Sequence, residues 1–277
     1  MSDYTRRQRV GRAVRGRSRG GCTTRIVIAL AIVAFAFIQH RMSTREEVNP
    51  YTGETQRISL TPQEEVALGL QAAPQMARQH GGLHPSSEAQ ELVDRVGAKL
   101  VAEVEPMPVY RFEFHLLADN QMINAFALPG GQIFITAALF KKMAAEDELA
   151  GVLGHEVGHV IARHSAEQMA KAGLLSGVGM AAGTLIGGEM GGGQQVAAMV
   201  NQALSTKYGR EDEYHSDEIG ANLMQQAGYD PRAILKVMEV LKSAGGGGQP
   251  EMLSSHPYPD NRIERLKKVV LPKLIGQ

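Results

Sequence analysis

The stretch Gly154 to Val160, GHEVGHV, restricts the backbone more than any other part of this chain. Two histidines four residues apart reach a common point only if the backbone between them is α-helical, because residues i and i+4 then lie one above the other. On that helix Glu156 stands about 100° round from His155, beside whatever the two imidazoles hold and not on it. Two readings fit the pattern. One is a metal-binding HExxH helix whose glutamate works as a base; the other is a pair of solvated histidines with a helix-stabilising glutamate.

A metal centre in this chain has to be built without cysteine. The only cysteine is Cys22, which precedes the apolar run Ile26–Ile38 and so lies on the wrong side of it for a lipoprotein signal. No disulfide forms within the chain, and ligands must come from His, Asp or Glu.

Residues 1–25 hold eight arginines against the single acid Asp3, while the formal net charge of the whole chain is zero. The body is therefore acidic, which argues against nucleic acid as a partner. The run IVIALAIVAFAFI that follows is uncharged, but its helix would rise only about 20 Å against a hydrocarbon core of about 30 Å. Thr23, Thr24 and Gln39 can lengthen it at the interfaces. It is a targeting segment, either a short signal-anchor or a signal peptide cleaved at the internal Ala34–Ala36. As an anchor it makes the membrane a partner and, by the positive-inside bias, places everything beyond His40 outside the cytoplasm. As a cleaved signal it releases the remainder to the periplasm. The expected organisation is a basic cytoplasmic N-terminus (1–25), a membrane-targeting helix (26–39), a polar tether (40–60) and one globular domain (61–277). With 43% hydrophobic and 21% charged residues, the chain has the composition to bury a core there.

Within that domain TPQEE gives a helix start, with Thr61 as N-cap, Pro62 in the first turn and Glu64 closing a capping box. A second helix begins at Ser86 or Ser87 and runs to about Glu103. Phe112, Phe114 and Leu116 alternate with Glu113 and His115, which predicts a half-buried strand. INAFALPGGQIFIT predicts two more strands around a Pro129-Gly130-Gly131 turn. Thereafter the pattern is helical: about Ala145 to Gln168 with acids in its first turn, then segments near 173–187, 194–206, 209–227 and 231–243. A last helix follows Asp260, beyond a flexible Gly245–Gly248 loop. The expected fold is α+β, mostly helical with a small three-stranded sheet. Ala172–Gly188 is uncharged, with Gly179, Gly183 and Gly187 at helix-pair spacing, and reads as a second span or as a helical plug over the site.

A catalytic zinc needs a third protein ligand and an open position. His164, five residues past His159 on a continuous helix, would point about 140° away and is expected to be structural. Glu213 and Asp217, four apart on a predicted helix, point one way, which suits one ligand and one partner for a ligand histidine. The alternative is a solvated acidic face.

Four stretches in order, NAFALPGG (Asn124–Gly131), HEVGHVIARHS (His155–Ser165), REDEYHSDEIGANLMQQAGYDP (Arg210–Pro231) and SSHPYPDNRIERL (Ser254–Leu266), resemble the zinc metallopeptidase family of the CAAX prenyl protease, HtpX and the periplasmic outer-membrane-assembly protease. The resemblance covers roughly residues 50–270. It implies a zincin-like domain holding one Zn2+ on His155, His159 and Glu213, with Glu156 as catalytic base and Asp217 behind a ligand. The chain departs from the family pattern in Tyr214-His215-Ser216, where His215 should point away from the metal.

The developing oxyanion needs a donor besides the metal, and His256 and Arg262 are the candidates. Through the resemblance, His256 has a second option, occupying the open zinc position and switching the enzyme off. Asn124, Ala125 and Phe126 form either a strand edge that binds an extended peptide through its backbone or an ordinary hairpin. The function expected is an endopeptidase acting on unfolded or misassembled envelope polypeptides in quality control. The alternative is a chaperone-like assembly factor with a closed zinc site; a membrane-embedded processing protease would need more spans.

Overall fold

The structure, a computed structural model, describes residues 34–35, 37–38, 40–105, 109–172, 207–244, 251–256 and 259–276. Most of the targeting run, the 173–206 segment and the Gly245–Gly248 loop lie outside the described residues. Among the described residues no helix is long and apolar enough to cross a membrane.

Helix α1 (Pro62–Gln79) starts where local chemistry directs it: Thr61 Oγ1 accepts from the Glu64 amide at 3.2 Å, and Glu64 accepts from the Thr61 amide at 2.7 Å. Ser86 caps α2 (Ser87–Ala102) in the same way through the Ala89 amide. Strands β3 (Glu113–Leu117), β4 (Ala125–Ala127) and β5 (Gln132–Thr136) form a three-stranded sheet in the order β3-β5-β4, parallel between β3 and β5 and antiparallel between β4 and β5. All of β5 is buried, as a central strand covered on both faces must be. Ile133 and Ile135 pack with Val93, Val96 and Leu100 of α2 and with the apolar side of the histidine helix. Phe134, on the opposite face, packs with Phe126 and with Ala72 and Met76 of α1. A short α3 (Ala137–Phe140) leads to α4 (Glu146–Ile161), followed by α5 (Arg210–Gln226), α6 (Ala233–Ala244), α7 (Glu251–Ser255) and α8 (Pro259–Arg265). From α8 the chain continues through a π turn (Leu266–Val270) into α9 (Leu271–Ile275).

Two expectations fail here for one physical reason. The polar stretch read as a tether contains an antiparallel hairpin, β1 (Arg45–Val48) with β2 (Thr55–Ile58). Its buried amides are spent on the end of α4: Asn49 Nδ2 donates to the Ile161 carbonyl at 3.0 Å and Gln56 Nε2 to the Ala162 carbonyl at 2.7 Å. These are carbonyls that a helix terminus leaves without intrahelical partners. Consequently α4 does not run to Gln168. It stops at Ile161, and a second helical segment spans 164–172.

Arg163 forms the corner, with a φ of 58°, left-handed backbone that a non-glycine residue enters at a cost. Its side chain holds the corner in place, with Nε 2.9 Å and Nη2 2.5 Å from Glu65 Oε1 and Nη2 2.8 Å from the Leu60 carbonyl. Glu65, on α1, is itself buried and accepts from Tyr110 Oη at 3.2 Å. Removing one member of a buried ion pair leaves an uncompensated charge, so Glu65→Ala should lower stability by roughly 3–5 kcal/mol. Urea unfolding of the variant checks this, and a loss under about 1 kcal/mol would mean that Arg163 is anchored by something else.

Candidate metal centre

The site depends on how closely α4 and α5 approach. A Cβ at Gly158 would lie 2.9 Å from both Cα and O of Ser216, and one at Gly220 would lie 2.9 Å from the Gly154 carbonyl carbon and the His155 nitrogen. Only small residues permit that separation. Gly154/Gly158 on α4 and Ser216/Gly220 on α5 are each four apart, a matched pair of small-residue ridges that the sequence reading overlooked. With the backbones this near, the histidines of α4 face the carboxylates of α5 directly.

Four ligand atoms converge between them, from His155, His159, Glu213 and His256, all buried and within 4.8 Å of one another. His155 Nε2 stands 3.0 Å from His159 Nε2, 3.3 Å from His256 Nδ1 and 3.6 Å from Glu213 Oε2. Glu213 Oε1 stands 3.5 Å from His159 Nε2 and 3.0 Å from His256 Nδ1. A tetrahedron of ligands about 2.0–2.1 Å from its centre has edges of about 3.3 Å, and the four separations that share Glu213 Oε1 as the carboxylate vertex, 3.0, 3.3, 3.5 and 3.0 Å, bracket the value a zinc ion requires. The donor set, three imidazoles and a carboxylate without thiolate, suits zinc as well. These residues fit the metal.

Around this centre the other candidates fall into place. Asp217 Oδ1 lies 3.0 Å from His155 Nδ1. Arg262 grips Asp217 as a fork, Nε to Oδ2 at 2.8 Å and Nη2 to Oδ1 at 2.6 Å, and its Nη1 stands 2.5 Å from Glu213 Oε2 without the angle of a hydrogen bond. Burial alone would raise both carboxyls; the Arg262 charge overrides it and holds Glu213 well below, and Asp217 below, the ordinary range. Arg262, expected as an oxyanion donor, thus has its nitrogens on carboxylates. Glu156 is pushed upward by burial, only partly offset by His256 and His155, and its Oε1 is 3.8 Å from His256 Nε2. Asn124, Ala125 and Phe126 lie at the sheet's edge beside α4. Thr136 N donates to Asn124 O at 3.0 Å and Leu128 N to Gln132 O at 2.8 Å. By antiparallel alternation the N–H and C=O of Ala125 and Ala127 therefore point away from β5.

The azimuth expected for His164 is wrong, because it assumed a continuous helix. The corner at Arg163 returns His164 to the site, with its Nδ1 2.9 Å from His159 Nδ1, and burial pushes its pKa down to about 3. Tyr208, which no sequence signal marked, stacks on His159 with centroids 4.0 Å apart. His215 lies off the centre, its Nε2 3.8 Å from Glu54 Oε1.

Residues 87–270 match the model of peptidase family M48. The chain belongs to that family. Among relatives of this M48 family member, the beta-barrel assembly-enhancing protease of Yersinia pestis is 32% identical over 230 residues, 79% of this chain and 46% of that protein. The mitochondrial metalloendopeptidase OMA1 of Schizosaccharomyces pombe is 34% identical over 178 residues, 64% of this chain and 51% of its own length. The Escherichia coli beta-barrel assembly-enhancing protease is 31% identical over 183 residues, 62% of this chain and 37% of that protein. The M48 chain thus spans about half or less of each of these relatives.

Because Glu213 is the sole carboxylate among the four converging ligands, Glu213→Ala should strip most of the zinc from a protein that otherwise purifies with close to one ion per chain. Metal analysis decides it: full zinc in the variant removes Glu213 from the ligand set.

Proposed function

We propose that this chain is a zinc-dependent endopeptidase of the cell envelope, anchored through residues 26–39 with its domain on the periplasmic side, that cuts extended stretches of unfolded or misassembled envelope polypeptides. The observation that carries the reading is Glu156, a buried carboxylate beside the four ligand atoms but not among them. A structural metal has no use for such a group; peptide hydrolysis does. Zinc, when bound, supplies Lewis acidity toward the scissile carbonyl and a water with a pKa near ~7. Glu156, raised by burial, takes a proton from the attacking water and returns it to the leaving amine. Asp217 fixes the orientation of His155, and Arg262 braces Asp217 and Glu213 instead of donating to the oxyanion. Ala125 and Ala127 are buried in this closed state; once the segment carrying His256 yields, their outward groups receive substrate as an added strand, which gives binding with little side-chain preference. The names of the relatives, a protease enhancing beta-barrel assembly and a metalloendopeptidase, support the substrate class.

The placement of His256 favours a resting state in which this residue holds the fourth position. Its Nδ1 lies among the ligand atoms and its other nitrogen faces Glu156, so one side chain excludes both water and base. The segment carrying it is tied to the substrate edge by Met252 N to Ile123 O at 3.4 Å and to Tyr208 N through Ser255 O at 3.0 Å. A peptide arriving at β4 competes for that edge. The same closure favours, as a second reading, an assembly factor that captures peptides and rarely cuts.

In detergent micelles the full chain should cleave casein, lose that activity to a zinc chelator, and lose about 10²–10⁴-fold in kcat on Glu156→Gln with its zinc unchanged. His256→Ala should accelerate cleavage if His256 is a cap and slow it by about 10²–10³-fold if it is an oxyanion donor. Activity that survives Glu156→Gln intact sinks the peptidase reading. For topology, a reporter after Gln277 should be exported and one near Gly20 retained; a cytoplasmic C-terminus overturns the envelope assignment.

A further inference from the structure

We infer that His164 is the positioning residue for the ligand His159, accepting its Nδ1 proton and so holding the imidazole with Nε2 toward the metal. The inference rests on the metal-centre reading and adds to it a residue outside the ligand set.

Only one nitrogen of His159 faces the converging ligand atoms. Its Nε2 is 3.0 Å from His155 Nε2 and 3.5 Å from Glu213 Oε1. A neutral imidazole that ligates through Nε2 carries its proton on Nδ1, and that proton needs an acceptor because the ring is fully enclosed. The group standing there is His164 Nδ1, at 2.9 Å. Acceptance at Nδ1 requires His164 to carry its own proton on Nε2. Among the described residues that nitrogen is buried without a hydrogen-bond partner, and Asp212 Oδ1 is 3.9 Å away. Ser216 Oγ approaches His164 Nδ1 less closely, at 3.3 Å. His155 has the same provision through Asp217 at 3.0 Å. Each of the two α4 histidines thus has its own partner, one anionic and taken from α5, one neutral and taken from the segment that follows α4.

The backbone is bent to supply that partner. On an unbroken helix His164 would lie about 140° away from His159; the corner at Arg163, with φ 58°, brings the two rings to a centroid separation of 4.9 Å. The hairpin amides of Asn49 and Gln56 and the Glu65 carboxylate hold the corner. Tyr208 stacks on the His159 ring, which orients the ring plane without taking its proton.

The test uses the full chain in micelles, zinc-loaded and labelled with 15N in its histidine rings. His159 should show the Nδ1–H tautomer with a slowly exchanging ring proton. His164→Phe keeps a ring of similar size without an acceptor, and His164→Asn keeps an acceptor oxygen near the position of Nδ1 in a smaller side chain. The Phe variant should lose the protected proton and weaken zinc binding, read by chelator competition, by roughly 10–100-fold, as loss of an outer partner does elsewhere. The Asn variant should recover most of both. Phe and wild type alike in proton protection and zinc affinity would overturn the inference while leaving the metal centre intact. A wild-type chain that takes up no zinc removes both together.

Discussion

Everything in this molecule follows from the near-contact of two helix backbones. Where Gly158 meets Ser216 and Gly154 meets Gly220, α4 and α5 come closer than side chains of ordinary size permit. Short side chains such as Glu213 and Asp217 then reach across to imidazoles on the facing helix without loops to carry them. Ligands mounted on two packed helices inherit the stiffness of the core, and Val152, Leu153 and Val157, on the same α4, belong to the cluster that includes Ile133 and Ile135 of the sheet. Metal sites held this way need little reorganisation when they bind or turn over.

Close packing also creates an electrostatic problem. Three carboxylates, Glu156, Glu213 and Asp217, are each at most 2% exposed, and burying ionised groups is costly unless they are paired. Arg262 relieves two of them from a helix close to the end of the chain. Among the described residues Glu156 receives no comparable cation at hydrogen-bond distance, and its Oε1 lacks a hydrogen-bond partner. The one of the three left poorly neutralised is the one proposed above to accept a proton.

The sequence displayed the ligands far better than the scaffold that orients them. His155, Glu156 and His159 were legible because a fixed periodicity carries them; the same spacing set Glu213 beside Asp217 but left a solvated acidic face open, and the family resemblance decided between the two. The α1 and α2 starts were legible because capping is chemistry within four residues. The hairpin was not: Asn49 and Gln56 are polar residues in a polar stretch, and their partners at Ile161 and Ala162 lie more than a hundred residues away. Missing that cap meant missing the corner, and missing the corner misplaced His164. The small-residue spacing of α4 and α5 could have been read, since Gly154/Gly158 and Ser216/Gly220 stand in plain view beside the ligands. Tyr208 could not, because its position depends on backbone contacts with Ser255.

The separation along the chain between Asp217 and Arg262 bears on how such a molecule is made. Arg262 is reached 107 residues after His155. A ribosome that has finished the HExxH helix has produced half of the metal centre, yet the cation that lets Asp217 and Glu213 enter the interior has not been translated. Until it arrives, those carboxylates favour water and the two helices have a reason to stay apart. The loop that must close before Arg262 meets Asp217 thereby makes the assembly of the centre a late event, one that waits on the end of the domain and not on the helix that carries the histidines.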